Sequence, residues 1–459
     1  MTTIKLDPGA ALLLDALHGA GHAAYAVGGC VRDSLLGLDP HDWDLCTSAR
    51  PEQVMALFGE EKCIPTGLQH GTVTVKQGGR LYETTTFRTE GAYSDGRHPD
   101  AVCFVPDVRE DLARRDFTIN AMAYSAEEGL IDPFGGQDDL AAHLVRAVGE
   151  PERRFEEDAL RILRLYRFAA RFGFAIDPAT GAAARALGPH LDCVSAERIQ
   201  EELLKLLAAP RPGSYLEPAV LAVVLPELEP EKQPERFAEL CRTIDRIEPT
   251  AENVPARLAA LLWPLGEAGA RKALRKLKCS NALTDEVTAL EREAGGGAGS
   301  FLLPRSRDRW AGSSSEDRPL GWDPAAAGSR AGDGMARTVS EEEAPGTPGS
   351  EMQLTAKRLL GRYELPTIQR LTALCSARHP EQTGAFAALR AEAERLTAEN
   401  ACCRVSQLAV NGRDLMAAGA RPGPGLRQVL NALLEAVITG QTPNEKDALL
   451  AAAAQFSAS

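Results

Sequence analysis

Two aspartates two residues apart, in Asp42-Trp43-Asp44, are the residues of this sequence best placed to do chemistry. On an extended chain both carboxylates project from one face and can share hard cations. Mg²⁺ suits such oxygens, because it keeps several waters and binds through one or two carboxylates plus substrate phosphates. Two such ions, about 3.5–4 Å apart, activate an attacking hydroxyl and stabilise a leaving oxygen, which is the chemistry of nucleotidyl transfer. An isolated Asp-x-Asp is more often a solvated loop pair. Here it follows Tyr25-Ala-Val-Gly28-Gly29-Cys30-Val31-Arg32-Asp33, in which two glycines fall between a predicted strand and a short predicted helix. Missing side chains there let backbone N–H groups approach a polyphosphate, and Arg32 adds a planar charged fork. Glu83, in the run Leu81 to Phe87, is the candidate third carboxylate from an adjacent strand; a charge on an edge strand explains it equally well.

A second group of charges lies in Glu157-Asp158-Ala-Leu-Arg161-Ile-Leu-Arg164-Leu-Tyr-Arg167. Spacings of three predict one helix with Asp158 and Arg161 as surface neighbours and the leucines facing the core. The plain reading is an amphipathic helix with a salt-bridged outer face. The functional reading comes from complementarity. Cytosine and adenine each present an amino donor beside a ring-nitrogen acceptor, so a carboxylate and a guanidinium together match both. Uracil and guanine present a carbonyl beside a ring N–H and leave buried polar groups unpaired, a rejection worth up to roughly 10⁴–10⁵-fold. Arg114-Arg115-Asp116-Phe117-Thr118-Ile119-Asn120 reads as a charged turn entering an apolar helix, with Asp116 as a possible cap.

These residues need a scaffold. Through residue 145 the chain alternates β-rich runs (23–27, 71–75, 81–87 and 102–105) with helical patterns, which predicts an α/β domain; beyond 150 the periodicity is helical. Between 295 and 350 the texture changes, with 11 Gly, 8 Ser and 5 Pro, and predicts a disordered insertion. It also holds Trp310, Trp322 and clustered arginines in no periodic pattern, as frame-shifted or otherwise non-native coding sequence would. Helical periodicity resumes at Leu354. Residues 89–99 are rich in turn formers and read as a mobile connection between strands.

Composition bounds the function. The 459 residues carry 51 basic and 64 acidic side chains, a net charge of −13, so a globally basic nucleic-acid binder is excluded. The 10 cysteines show no Cys-x-x-Cys spacing, which predicts a reducing, cytoplasmic compartment. The apolar run from Ala10 to Leu14 is broken by Asp15, and no stretch approaches the roughly 20 apolar residues that span a bilayer, so neither export nor a membrane role is expected.

The glycine turn, the aspartate pair, the Arg-Arg-Asp stretch and the Glu-Asp-x-x-Arg motif together resemble the bacterial class II tRNA nucleotidyltransferase and poly(A) polymerase family, within the polymerase-β-like nucleotidyltransferases. The resemblance covers residues 20 to about 290 and 354 to 450. It implies an α+β chain: a mixed-sheet catalytic head at 1–145, then a helical neck at 146–209, a helical body at 210–294 and 351–400 around the 295–350 insertion, and a tRNA-binding tail at 401–459. It implies that Asp42 and Asp44 are catalytic and hold Mg²⁺. Nucleotide contacts are implied at Gly28, Gly29, Arg32, Arg115, Asp116, Asn120, Arg164 and Arg167, with base selection by Asp158 and Arg161. CTP, ATP and tRNA are the implied partners; no oligomeric state is implied. The 89–99 loop resembles the family's switch from C to A addition, and the helix-turn-helix at 408–438 with Pro443-Asn444-Glu445 resembles the tail of CCA-adding members. The expected activity is therefore template-free addition of C, C and A to the tRNA 3′ end. The nearest rival is a poly(A) polymerase or A-adding enzyme. A His-Asp phosphohydrolase lacks ligands, since only His379 follows His190, and a silent RNA-binding protein is disfavoured by the intact acids.

Overall fold

A computed structural model describes residues 3–90, 102–297 and 348–456. Of the expected connection at 89–99, Thr89 and Glu90 are in a strand and the rest lies outside the described residues, as does almost all of the expected insertion, 298–347.

The first unit, Met1–Ala289, opens with α1 (Pro8–Gly19), started by Asp7, whose carboxylate accepts from the N–H groups of Gly9 and Ala10, and by Pro8 in the first turn. Strand β1 (Ala24–Val27) leads through Gly28 into α2 (Gly29–Leu35), then come β2 (Leu45–Thr47), α3 (Pro51–Phe58), β3 (Cys63–Gly67), β4 (Thr72–Gln77) and β5 (Arg80–Thr86). The pair β6 (Arg88–Glu90) and β7 (Val102–Phe104) is antiparallel and flanks the undescribed 91–101. After α4 (Val108–Ala113), strands β8 (Ala123–Ser125) and β9 (Gly129–Ile131) complete a seven-stranded sheet ordered β3-β4-β5-β2-β1-β8-β9. Only β2 and β5 run parallel in it. The sheet is mixed, as the family resemblance implies.

The core explains this order. Tyr25, Val27, Cys46, Phe87, Leu112 and Ala123 form one buried cluster beneath the centre of the sheet. Strand β1 is buried along its whole length, while β5 alternates, with Leu81 and Glu83 exposed and Tyr82 and Thr84 buried. The strand of Glu83 lies between β4 and β2, so the edge-strand explanation of that charge is overturned.

After α5 (Gly136–Ala141), β10 (Leu144–Val145) pairs in parallel with β11 (Ala175–Ile176), spanning α6 (Pro151–Glu157) and α7 (Leu160–Phe172). Next come α8 (Pro178–Ala186) and α9 (Ala196–Leu207). Fully buried Arg257 donates to the carbonyls of Leu207, Ala209 and Ile247, satisfying helix ends that would otherwise lack donors.

In the second unit, Leu290–Ser459, a helix begins at Pro348, six residues before the expected Leu354, and further helices span Leu365–Arg378 and Thr383–Ala398. The expected helix at 408–416 is shorter, Gly412–Ala417, because Asn411 and Asp414 form a capping box that starts it there. Helices Pro424–Ile438 and Lys446–Phe456 follow. Asn444 is a clasp: its Oδ1 accepts from Ala409 N–H at 2.8 Å and its Nδ2 donates to Gln407 C=O at 2.9 Å.

Candidate active site

The aspartate pair does not lie on a strand. Asp42-Trp43-Asp44 is the extended lead-in to β2, which begins at Leu45. The alternation survives without the ladder: Asp42 and Asp44 are exposed and Trp43 is buried. The Asp44 carbonyl accepts from Val27 N–H at 3.0 Å. Because β2 and β5 pair Leu45 with Thr84 in parallel, Glu83 stands one step before, level with Asp44. Although Asp44 as a whole is open to solvent, surrounding protein partly desolvates its carboxylate. That cost, with the negative charge of Glu83 and less of Asp42, pushes it up to about 6 against the pull of Arg115. Hard oxygens crowded in this way fit a divalent cation, which would relieve the repulsion. Among the described residues no three His, Cys, Asp or Glu side chains already form a metal-holding group, so Glu83 is near Asp44 without completing a ready-made set.

The two glycines differ. Gly28 has φ 78° and ψ −122°, and a Cβ there would lie 2.9 Å from Arg115 Nη1. Its own N–H is donated to Met122 C=O at 3.1 Å and is not free for a phosphate; Gly28 makes the turn and the close approach. Gly29 has no positive φ, and a Cβ on it would make ordinary contact, 3.6 Å from Arg32 Nη2. Gly28→Ala is therefore expected to destabilise the protein by about 1–2 kcal/mol, before any clash with Arg115 is counted. Gly29→Ala should leave the melting temperature within a degree or two, and thermal unfolding of both variants checks the contrast.

Behind the turn lies a charged layer that the sequence reading did not foresee. Arg32 is 3% exposed. It ion-pairs with Asp33 at 2.7 Å, donates to Asn120 Oδ1, and its guanidinium packs 4.8 Å from the Phe172 ring centroid. Asn120 Nδ2 donates to Asp116 at 3.1 Å, and Arg164 clamps the same carboxylate at 2.6 and 2.9 Å. Asp116 is thus no helix cap: its carboxylate accepts from Phe117 N–H at 2.8 Å, and the short 3₁₀ turn Thr118–Asn120 that follows has no side-chain cap. Burial disfavours its charge, but Arg164 and Asn120 hold the carboxyl well below the ordinary range. Arg167 stacks 4.0 Å from the Phe168 centroid and donates to Glu202 at 2.6 Å. Arg115 Nε is buried with no hydrogen-bond partner among the described residues, a donor suited to a phosphate oxygen.

Asp116 sets a stability prediction. Its folded pKa is depressed, so its contribution is present above the ordinary value of 3.8 and is lost as pH falls below it. Asp116→Asn leaves Arg164 without its main partner and should cost about 3–5 kcal/mol near neutrality. In urea titrations the gap between the variant and the original protein should narrow below about pH 4.

The motif expected to read the base departs most from its expected form. Asp158 is not on a helix with Arg161: α6 ends at Glu157, Asp158 is extended at φ −149° and ψ 103°, and α7 starts at Leu160. The Asp158 carboxylate accepts from Leu160 N–H at 3.1 Å and so caps the new helix, which breaks the expected continuous one. It also pairs with Arg198 of α9 at 2.7 Å. Arg161 turns to Glu157 at 2.7 Å and to the carbonyls of Arg114 and Arg154. The two residues share the α6–α7 junction, where Arg161 N–H donates to Asp158 C=O at 3.0 Å, but their side chains pair elsewhere. Arg198 and Glu202 were missed; the only signal is that Glu202, a charge, falls at helical spacing among Ile199, Leu203 and Leu206 and is buried with them.

Paired carboxylates at a strand mouth, a glycine turn against an arginine, and a buried cationic layer on this sheet define a nucleotidyltransferase. Comparison with known proteins narrows the class. Residues 24–146 match the model of the poly A polymerase head domain, 173–232 that of the "Probable RNA and SrmB-binding site of polymerase A", and 365–453 that of tRNA nucleotidyltransferase domain 2. The CCA-adding enzyme of Lactobacillus helveticus is 34% identical over 95% of this chain and 94% of its own, and that of Limosilactobacillus fermentum is 34% identical over 97% and 96%. The crystal structure of the Bacillus stearothermophilus CCA-adding enzyme in complex with CTP superposes with a TM-score of 0.73 at 31% identity, over 99% of this chain and 98% of that one. The Thermotoga maritima CCA-adding enzyme complexed with tRNA shares the fold, at a TM-score of 0.63 and 20% identity. This chain belongs to the CCA-adding enzyme family.

Proposed function

We propose that the protein adds C, C and A to the 3′ end of tRNA from CTP and ATP without a nucleic-acid template. The observation that carries this reading is the crowding of Asp42, Asp44 and Glu83 beside Arg115 and the Gly28 turn: acids that want a cation, next to a buried donor that wants a phosphate. The terminal tRNA hydroxyl attacks the α-phosphate and pyrophosphate leaves. Asp42 and Asp44 would hold Mg²⁺, with Glu83 beside them; when bound, the metal activates the attacking hydroxyl and neutralises charge on the phosphates. Arg115 faces the phosphates, and the layer of Arg32, Asn120, Asp116, Arg164 and Arg167 holds the nucleotide-facing wall in one arrangement. Asp158 and Arg161 read the Watson–Crick edge, Asp158 turning from Arg198 to accept the base amino group.

In this reading 1–145 is the head, 146–209 the neck, 210–294 with 351–400 the body, and 401–459 the tail that holds tRNA. Among the described residues no helix is long and apolar enough to cross a membrane, and the enzyme works in the cytoplasm. End-labelled tRNA lacking its last three nucleotides should gain two residues with CTP alone and a third only when ATP is added. Long A tails, or A added only to tRNA already ending in CC, would assign the chain to poly(A) or A addition instead.

A further inference from the structure

Asp42 has little of its own to hold it. Asp44 is still tied to β1 through Val27 N–H and Trp43 is buried, but Asp42 and His41 are exposed. One contact reaches this segment from the neighbouring strand: Arg80, the first residue of β5, donates from Nη2 to His41 C=O at 3.1 Å. We propose that Arg80 is a positioning residue, fixing the backbone directly before Asp42 and so setting where the first metal-holding carboxylate stands. The proposal rests on the reading of Asp42 and Asp44 as metal ligands.

The tether is itself anchored. Arg80 Nη1 pairs with Asp7 Oδ2 at 2.5 Å, so the guanidinium bridges two segments with separate nitrogens. A planar fork presents two nitrogens in fixed geometry, whereas an ammonium offers its donors from one point. The Asp7 side chain is 10% exposed against 49% for Arg80, so the anchor is the buried partner. Asp7 also accepts from Tyr82 Oη at 2.5 Å and caps α1 through Gly9 and Ala10 N–H. Gly9 leaves the space Tyr82 needs, since a Cβ there would lie 2.1 Å from Tyr82 Oη. Burial raises the Asp7 pKa, but Tyr82, the Ala10 N–H and Arg80 outweigh it and keep the carboxylate charged. Arg80 and Tyr82 thus share the Asp7 side of β5, while Glu83 stands on the other side with the acids. One strand carries both the clamp on the Asp42 segment and the third acid, Glu83.

An exposed ion pair contributes little to stability. Displacing a catalytic group by about 1 Å, in contrast, costs up to roughly 100-fold in rate. The expected signature of Arg80→Met is therefore a kcat for C addition lowered by about tenfold, a KM for CTP changed less than about twofold, and a melting temperature within a few degrees of the original. Mn²⁺ binding to the nucleotide-free protein, followed by electron paramagnetic resonance of the free ion, should weaken several-fold. Arg80→Lys, which has one nitrogen where Arg80 uses two, should fall between. Should Arg80→Met fold poorly, Tyr82→Phe, which removes one bond to Asp7 and leaves Arg80 intact, should retain Mn²⁺ affinity, whereas Asp7→Asn should weaken it. Unchanged kcat and Mn²⁺ affinity in folded Arg80→Met overturns the proposal, as does a loss of activity that only tracks the folded fraction. If the unsubstituted protein itself binds Mn²⁺ independently of Asp42 and Asp44, the metal-site reading fails first, and that result is distinct.

Discussion

Asp42→Ala and Asp44→Ala should each lower nucleotide addition by about 10³-fold or more while leaving the fold intact. The rate expectation follows from the donor set: these exposed carboxylates and Glu83 offer hard oxygens at the mouth of β2. The stability expectation has a separate cause. Asp44 is held against partial desolvation and the charge of Glu83, which is why its carboxyl titrates near 6. Removing it removes an unfavourable charge, so Asp44→Ala should melt no lower than the original protein at pH 8. Glu83→Gln takes one repulsive neighbour from Asp44 and should reduce activity less than either aspartate substitution. Single-turnover extension of end-labelled tRNA, with thermal melts of the same preparations, checks all three. A melting temperature lowered in parallel with activity would place these aspartates in the structure and not in the chemistry.

How far the sequence announces this site depends on the range of the interaction involved. The turn was readable because its cause is local: an apolar run ending in Gly28, a backbone that needs φ 78°, and a short helix after it. The aspartates were readable for the same reason, since alternation around Trp43 keeps both on one face even though the strand starts later. The break at Asp158 was hidden because charges at spacings of three are also what a continuous helix would show; the deciding contact is a side chain taking the N–H of Leu160. The charged layer was hidden for a different reason. Arg198, Glu202 and Asp33 acquire their roles from partners 35 to 138 residues away. Periodicity sets Glu202 among the apolar positions of α9, but nothing within α2, α7 or α9 names the distant partner of any of the three. Asp7 and Arg80 are the same case, separated by 73 residues and joined by the fold.

Asp158→Asn should collapse discrimination between cytosine and uracil while keeping the protein folded and active. A carboxylate only accepts, so it pairs with the amino group of cytosine or adenine and meets the carbonyl of uracil or guanine with repulsion. A carboxamide can present either its oxygen or its NH₂. The substitution therefore removes the rejection and not the match: the CTP-over-UTP preference should fall from as much as roughly 10⁴ toward tens, mainly through faster UMP addition. Structure makes the test clean on one side, because an asparagine oxygen still caps Leu160 N–H where Asp158 does so at 3.1 Å. On the other side the charge on the Arg198 pair is lost. That pair is about one-fifth exposed on both side chains, so a cost near 1 kcal/mol is expected and a Tm a few degrees lower. Arg198→Met separates the two effects. It removes the same pair but leaves the carboxylate, so it should show the lower Tm and keep the preference for CTP. Were Arg198→Met to lose discrimination as fully as Asp158→Asn, selectivity would lie in the orientation of Asp158 by α9 and not in its charge. The ratio of CMP to UMP incorporated from equal nucleotide concentrations decides between them.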